Sequence, residues 1–432
     1  MRREASPEND RRVAKLFKKI GNTHTMNTGV VCKFGGSSLA NQKAIQHVID
    51  NIITKKKKIC PKLKSCIICV SAPGKRHKDD IKVTDSLIEL HKLALRKNRK
   101  RFDKMFFTNI HSRYIEISKQ NNIIQALEHT AGKIYDNAIS NNNSNNIDFA
   151  LSRGEYLNAI AICNLLNIDG GNTYEFIDAG EIIRFNDDCT LNYNETFQAI
   201  KSTISTSTII PGFYGTKSSS KNDTNNTTSL SQQNIVTFSR GGSDVTGALV
   251  AAALSDEYDM VYENWTDVDG IFNVDPNLCQ DATVWNKLTY DHVHALSLAG
   301  ANVFHPDAIY PVEINNVKTN IRNTNKPVTS NGTWIVNDLQ EDVSINNDSE
   351  DQIAIGVSSI FDYNEIRVVS SNVNNNDTIR NIMIETLENL NIKYDDVESV
   401  YEAVPHPLIV NIRLREKNEI DNAIRAVFSK LF

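Results

Sequence analysis

The 432-residue sequence lacks a long hydrophobic run; its longest apolar stretch, about ten residues from Val245 to Leu254, has Thr246 and Gly247 inside it. A bilayer-crossing helix needs about 20 such residues, so no membrane partner is expected. Positive charge is not in excess either: 47 Lys and Arg stand against 52 Asp and Glu, for a net charge of −5. A nucleic-acid partner is therefore not expected, because such domains are usually clearly basic. Residues 1–28 contain no apolar core of the kind that secretory signals carry, and Glu4, Glu8 and Asp10 argue against an organelle transit peptide. They are expected to form a disordered extension. The seven cysteines are scattered, and the one CxxC pair, Cys66 and Cys69, has no second Cys/His pair at zinc-ligand spacing. In a strand those two positions face opposite sides, so they read as small core residues in a reducing, cytoplasmic setting, with no metal site.

What the chain does contain is α/β alternation. Strands are expected at Val30–Phe34, Ser65–Ser71, Glu175–Asp178, Thr208–Phe213, Asn234–Phe238 and Met260–Asn264, with helices over Asp148–Leu166 and Ser243–Leu254. That order implies a central, mostly parallel sheet covered by helices. Two low-complexity stretches, at 140–146 and 216–234, are too polar to order themselves, and the second reads as an elongated hairpin loop. An acidic, Asn- and Ser-rich segment near 337–351 reads as a linker, after which residues 352–432 form a separate unit.

Four segments carry chemistry. In "VVCKFGGSSL" a buried strand ends on Lys33 and Phe34, followed by Gly35, Gly36 and Ser37. Paired glycines let backbone amides approach an anion, and a helix starting at Ser37 or Ser38 would add its positive end. "FSRGGSDVTGALVAAALS" repeats the plan, with Arg240, Gly241, Gly242 and Ser243 before a helix and Asp244 in its first turn. Two such loops, each with a cation, suggest two anionic groups to hold; the planar fork of Arg240 suits a carboxylate. "YENWTDVDGIFNVDPN" ends a strand on Thr266 and Asp267, at the carboxyl edge where open α/β sheets bind ligands. In "LSRGEYLNAIAICNLL", Arg153 and Glu155 lie on the polar side of an apolar helix, and the plain reading of Glu155 is a solvated face.

Read together, these segments resemble aspartate kinase of the amino-acid kinase superfamily. The resemblance spans 29–336 and includes "VSAPGKRHKDDIKVTD", "IPGFYG" and "LAGANVFHPDAIYPV". It implies a three-layer α/β sandwich of the amino-acid kinase type, with substrate held by its N-terminal part and nucleotide by its C-terminal part. It also implies transfer of a phosphoryl group from ATP, with Mg2+, to the β-carboxylate of L-aspartate. On that resemblance Lys33 and the Gly35–Gly36 amides stabilise the phosphoryl group and Arg240 clamps a substrate carboxylate beside Gly241, Gly242 and Ser243. Glu155 receives the substrate amino group, Asp244 orients Lys33 or that ammonium, and Thr84 helps fix the substrate. Phe34, Ser37, Thr266, Asp267, Phe272, Asn277 and Asn302 complete the nucleotide contacts.

Three positions depart from the family pattern: Asn277 follows "DP" where arginine is common, Asn302 replaces a lysine, and Phe272 replaces a tyrosine. Each lost cation is expected to cost roughly 1.5–3 kcal/mol of ATP binding if nothing replaces it. The last 80 or so residues read β-α-β-β-α, like one ACT-like regulatory domain, single or truncated, with "QIAIGVSS" available as the missing edge strand. Such a domain implies a homodimer and a lysine or threonine effector. Two alternatives stay open: a kinase of another acidic amino acid, and a non-catalytic amino-acid-binding subunit on the same fold.

Overall fold

The computed structural model describes residues 27–59, 63–140, 147–168, 174–204, 207–218, 234–239, 241–301, 303–339, 352–371, 373–400 and 409–432. The expected extension, apart from Asn27 and Thr28, most of the linker, the Asn-rich run at 141–146 and most of the hairpin loop lie outside them, as do Arg240 and Asn302. Among the described residues no helix is long and apolar enough to cross a membrane. The chain divides into two compact units, one of residues up to Asp267 plus Thr324–Ser330, the other of Val268–Asn323 plus Asn331–Phe432.

The first unit is built on strands β1 (Asn27–Phe34), β2 (Leu63–Val70), β3 (Glu175–Phe176), β5 (Thr208–Pro211) and β8 (Tyr258–Thr266), in the order β3-β5-β2-β1-β8. The pairings β1·β2, β1·β8, β2·β5 and β3·β5 are all parallel. Parallel strands are covered on both faces, which is why β1 and β2 read as near-continuous apolar runs; Val30, Val31, Phe34, Ile67, Ile68 and Val70 are fully buried. β1 lies between β2 and β8, with Lys33 in register with Cys69 on one side and Asn264 on the other. Cys66 and Cys69 are free, buried thiols of β2.

The expected strand Thr208–Phe213 is interrupted. β5 stops at Pro211, and β6 (Tyr214–Lys217) joins a separate three-stranded sheet with β4 (Arg184–Phe185) and β7 (Ile235–Thr237). The break falls at Phe213, whose φ of 82° is foreign to a strand. β6 and β7 do pair antiparallel, so the hairpin reading applies to β6 and not to the strand before it. The Gly35–Gly36 loop also differs from expectation: Ser37–Leu39 is a single 3-10 turn and the next α-helix starts at Gln42, so the expected helix does not begin at Ser37 or Ser38.

In the second unit, β9 (Lys287–Thr289), β10 (Lys318–Asn323) and β11 (Thr333–Val336) form a β10-β11-β9 ribbon. The C-terminal part is a four-stranded antiparallel sheet, β12-β13-β15-β14, from β12 (Ala354–Ile360), β13 (Glu365–Ser370), β14 (Tyr394–Val400) and β15 (Ile409–Leu414). The helices Asn376–Asn389 and Ile420–Leu431 supply its core with Ile379, Met383, Leu387, Ile424, Val427 and Phe428. β12 pairs with β13 along its length, so the segment before the β-α-β-β-α run provides the edge strand.

Candidate active site

Lys33 ends β1 with 8% of its surface exposed. Its Nζ stands 2.6 Å from Asp244 Oδ1, and it donates to Asn264 Oδ1 at 3.5 Å. Asn264 Nδ2 in turn donates to Asp244 Oδ1 at 2.9 Å. Asp244 reaches this point because the Gly242–Leu254 helix lies close over β1: a Cβ on Gly247 would come within 2.7 Å of the Tyr262 ring and 3.3 Å of Lys33 Cβ. Gly241 caps that helix in the left-handed conformation, φ 59°, which a side chain would disfavour. Gly242 and Ser243 follow in the first turn, Ser243 buried.

The Gly35–Gly36 loop is held by backbone. The Gly35 amide donates to Trp265 O at 3.2 Å, and the Gly74 amide donates to Gly36 O at 2.7 Å. The Gly35 amide thus ties this loop to β8. A Cβ on Gly36 would meet Ala72 O at 2.8 Å, so the 35–37 and 72–74 loops touch backbone to backbone. Phe34 stacks on Trp265 with centroids 6.1 Å apart, which leaves its ring in the core. Ser38 Oγ lies 2.9 Å from Thr324 Oγ1, while the Thr324 amide and hydroxyl both donate to Thr266 O. Thr266 Oγ1 donates to the Asp267 carboxylate at 3.2 Å. Thr84 is half-buried in the first turn of the Val83–Leu95 helix.

Glu155 is not on a solvated face. It lies on the Ile147–Asn167 helix with 6% exposure, and its Oε2 is buried without a hydrogen-bond partner. Burial pushes its carboxyl up to about 7, opposed by backbone hydrogen bonds from Ala72 and Glu155 and by the charge of Arg153. The periodicity failed here because this helix packs on more than one side; Arg153 is also buried, its guanidinium over the rings of Phe149, Tyr156 and Tyr214. Burial raises the Cys69 thiol, and the charges of Lys33, Asp244 and Glu155 all reach it. Lys33 and Asp244 therefore meet at the end of β1, and Glu155 acts through its charge on the same β2 thiol.

Phe272 and Asn277 belong to the second unit, where they line a cavity of about 360 Å³. Val274, Leu296, Val303 and Val357 are among its apolar walls. The Asn277 backbone and side-chain N–H groups both donate to Asp275 Oδ1, at 2.8 and 2.9 Å, forming an Asx turn.

Sequence reading missed Asn264, Thr324, Gly74 and Arg113. Arg113, 3% exposed, donates to the carbonyls of Ala40, Gly74 and Ile81 and pairs with Asp80, fastening the 72–81 loop to the segment after the glycine pair. Only Asn264 left a trace in the sequence: a polar residue two places from Tyr262 and from Thr266 in a strand that faces Lys33.

Comparisons with known proteins extend this picture. The sequence profile of the Amino acid kinase family matches residues 28–323. Aspartokinase 3 of Bacillus subtilis (strain 168) is 30% identical over 317 residues, 71% of this chain and 63% of that protein. The chain thus spans less than two thirds of that relative's length. Aspartate kinase of Clostridium acetobutylicum superposes with a TM-score of 0.70 at 25% identity, covering 93% of this chain and 100% of that one. E. coli aspartokinase III, solved with aspartate and ADP in its R-state, shares the fold with a TM-score of 0.66 at 15% identity, over 93% of this chain and 99% of its own. With a profile match over most of its length, on a parallel sheet whose glycine-loop strand delivers Lys33 to Asp244, the chain belongs to the amino acid kinase family.

Proposed function

We propose that this chain phosphorylates the β-carboxylate of L-aspartate with ATP, giving 4-phospho-L-aspartate and ADP, the first step toward lysine, threonine and methionine. The observation that carries the reading is the Lys33–Asp244 pair at the end of β1 together with the buried, unpartnered Glu155 oxygen. A buried acceptor without a donor is costly, and a substrate ammonium group would relieve that cost. Lys33 supplies positive charge where the phosphoryl group is transferred.

The chemistry is simple to balance. A carboxylate oxygen of aspartate attacks the γ-phosphorus, the bond to the β,γ-bridging oxygen breaks, and ADP leaves with the electron pair. The nucleophile is already anionic, so no general base is required, and the protein's task is positioning and charge neutralisation. Arg240, Gly241, Gly242, Ser243 and Thr84 are assigned to the substrate by the family resemblance. Thr266, Asp267, Gly36 and Ser37 are assigned in the same way to the nucleotide. The cavity beside Phe272 and Asn277 supports nucleotide use independently, since its mostly apolar walls suit a base ring. Among the described residues no three His, Cys, Asp or Glu side chains cluster to hold a metal. A magnesium ion would therefore arrive on the phosphates, as is usual for that ion, and would neutralise their charge. By the same family resemblance, the C-terminal antiparallel sheet is assigned a lysine or threonine effector site and a homodimer built through it, in a cytoplasmic enzyme.

Aspartyl-hydroxamate formation tests the reading. Purified chain with Mg-ATP and hydroxylamine should give signal with aspartate, little with glutamate, and a roughly 100-fold or greater loss in Lys33→Ala. Signal with glutamate alone would mean a kinase of another acid. Aspartate binding without ATP binding or turnover would mean a regulatory subunit.

A further inference from the structure

Asn264 is 7% exposed, lies beside Lys33 in the β1·β8 register, and closes a triangle with the two charged groups. Its Oδ1 accepts from Lys33 Nζ at 3.5 Å and its Nδ2 donates to Asp244 Oδ1 at 2.9 Å, while Lys33 and Asp244 are 2.6 Å apart. The amide orientation follows from its neighbours, because an ammonium only donates and a carboxylate only accepts. Lys33 has three N–H donors; Asp244 takes one and Asn264 a second, so a single donor remains for a third oxygen.

We propose that Asn264 is a positioning residue for phosphoryl transfer: it locks Lys33 and Asp244 in one geometry and commits the remaining Lys33 N–H to the transferred group. This inference rests on the kinase reading above. An isosteric apolar side chain would leave the pair free to rotate about a single contact. A carboxylate would set a second negative charge against Asp244. Only a neutral group that donates and accepts satisfies both partners. The charged and titratable groups around this amide are Lys33 on β1, Asp244 on the Gly242–Leu254 helix and Tyr262 on β8 itself, whose hydroxyl donates to Asp244 O. Cys69 on β2 and Glu155 lie within electrostatic reach of the same charges.

The test compares wild type, Asn264→Leu and Asn264→Asp by ADP release, after circular dichroism shows that each is folded. Asn264→Leu is expected to lower kcat about 10–100-fold while KM for aspartate and for ATP stays within about threefold. Added to Lys33→Met, it should cost little more, because both act through one ammonium. Asn264→Asp should be rescued by acid. A protonated carboxyl donates through O–H and accepts through C=O as the amide does; burial and the Asp244 charge favour that proton, against the charge of Lys33. The ratio of variant to wild-type kcat should therefore climb as pH falls from 8.5 to 6.5. A stability role alone predicts neither the kcat-specific loss nor this climb. If wild type turns over but Asn264→Leu keeps kcat within twofold, or the ratio is flat with pH, the inference is overturned and the kinase reading stands. If Asn264→Leu does not fold, the pH ratio of Asn264→Asp decides by the same criterion. If wild type releases no ADP with any acidic amino acid, the kinase reading falls and this inference with it.

Discussion

Glu155 shows how one buried group ties stability to function. Its folded-state value, about 7, lies above the 4.5 of an exposed glutamate, with burial the main cause. Below pH 4.5 both folded and unfolded chains carry the proton, and the residue costs nothing. As pH rises toward 7 the unfolded chain releases its proton first, so native stability declines and then levels off. The difference amounts to roughly 3 kcal/mol. Glu155→Gln is therefore expected to raise the urea midpoint at pH 8 and leave it unchanged at pH 4.5, and on the proposed function to abolish aspartate binding measured calorimetrically. If the proposed function holds, aspartate affinity of the wild type should fall as pH drops through about 7, since the carboxylate must be anionic to hold an ammonium. The sequence marked Glu155 as polar and placed it on a helix. The plain reading put that position on a solvated face, wrongly, because a helix covered on several sides loses the one-faced pattern that periodicity detects.

Loops and strands show a different division. The glycine pair at 35–36 and the left-handed Gly241 are legible, since few other residues tolerate such backbone. What Gly36 packs against is not legible. The contact with Gly74 joins loops some forty positions apart, and Arg113 adds its donors from the Ser112–Ile117 helix. Arg113→Met would leave the largely buried Asp80 without its second arginine and three carbonyls without their donor. We expect a loss of about 1–3 kcal/mol in chemical denaturation, because Asp80 keeps Arg76 while the carbonyls lose their donor. Protease cleavage within residues 75–81 should rise in parallel. An unchanged denaturation midpoint would show that Arg76, whose Nε lies 3.0 Å from Asp80, holds the loop alone.

For the molecule as a whole, the C-terminal sheet is part of the second unit's core and not an appendage. Trp285 Nε1 donates to Ile355 O at 2.8 Å, and the Val357 amide donates to Asn273 O at 2.9 Å. Val274 and Cys279 share one buried cluster with Ile366, Val368, Ile424 and Val427. Deleting residues 352–432 should therefore yield an aggregating or low-melting protein, not a feedback-free kinase, since each exposed core side chain forfeits about 1.5–3 kcal/mol. A soluble truncated chain with an unaltered melting temperature would contradict this. β12 illustrates why such a link is hard to read in advance: its sequence says strand, but its two faces and its partner are set by what surrounds it.

From residue order alone followed the α/β class, the two glycine loops with their cations, the Asp244 helix start and the resemblance to aspartate kinase. All of these are local: they depend on backbone permissiveness, side-chain period and the content of short segments. The tertiary structure alone decided that Asn264 joins Lys33 and Asp244, that Gly35 spends its amide on Trp265, and that Glu155 is buried with an oxygen left over. The reason is physical. Lys33 and Asn264 are separated by 231 positions, and they meet only because β8 pairs with β1. Strand order is chosen by the packing of the whole sheet, which no local propensity encodes.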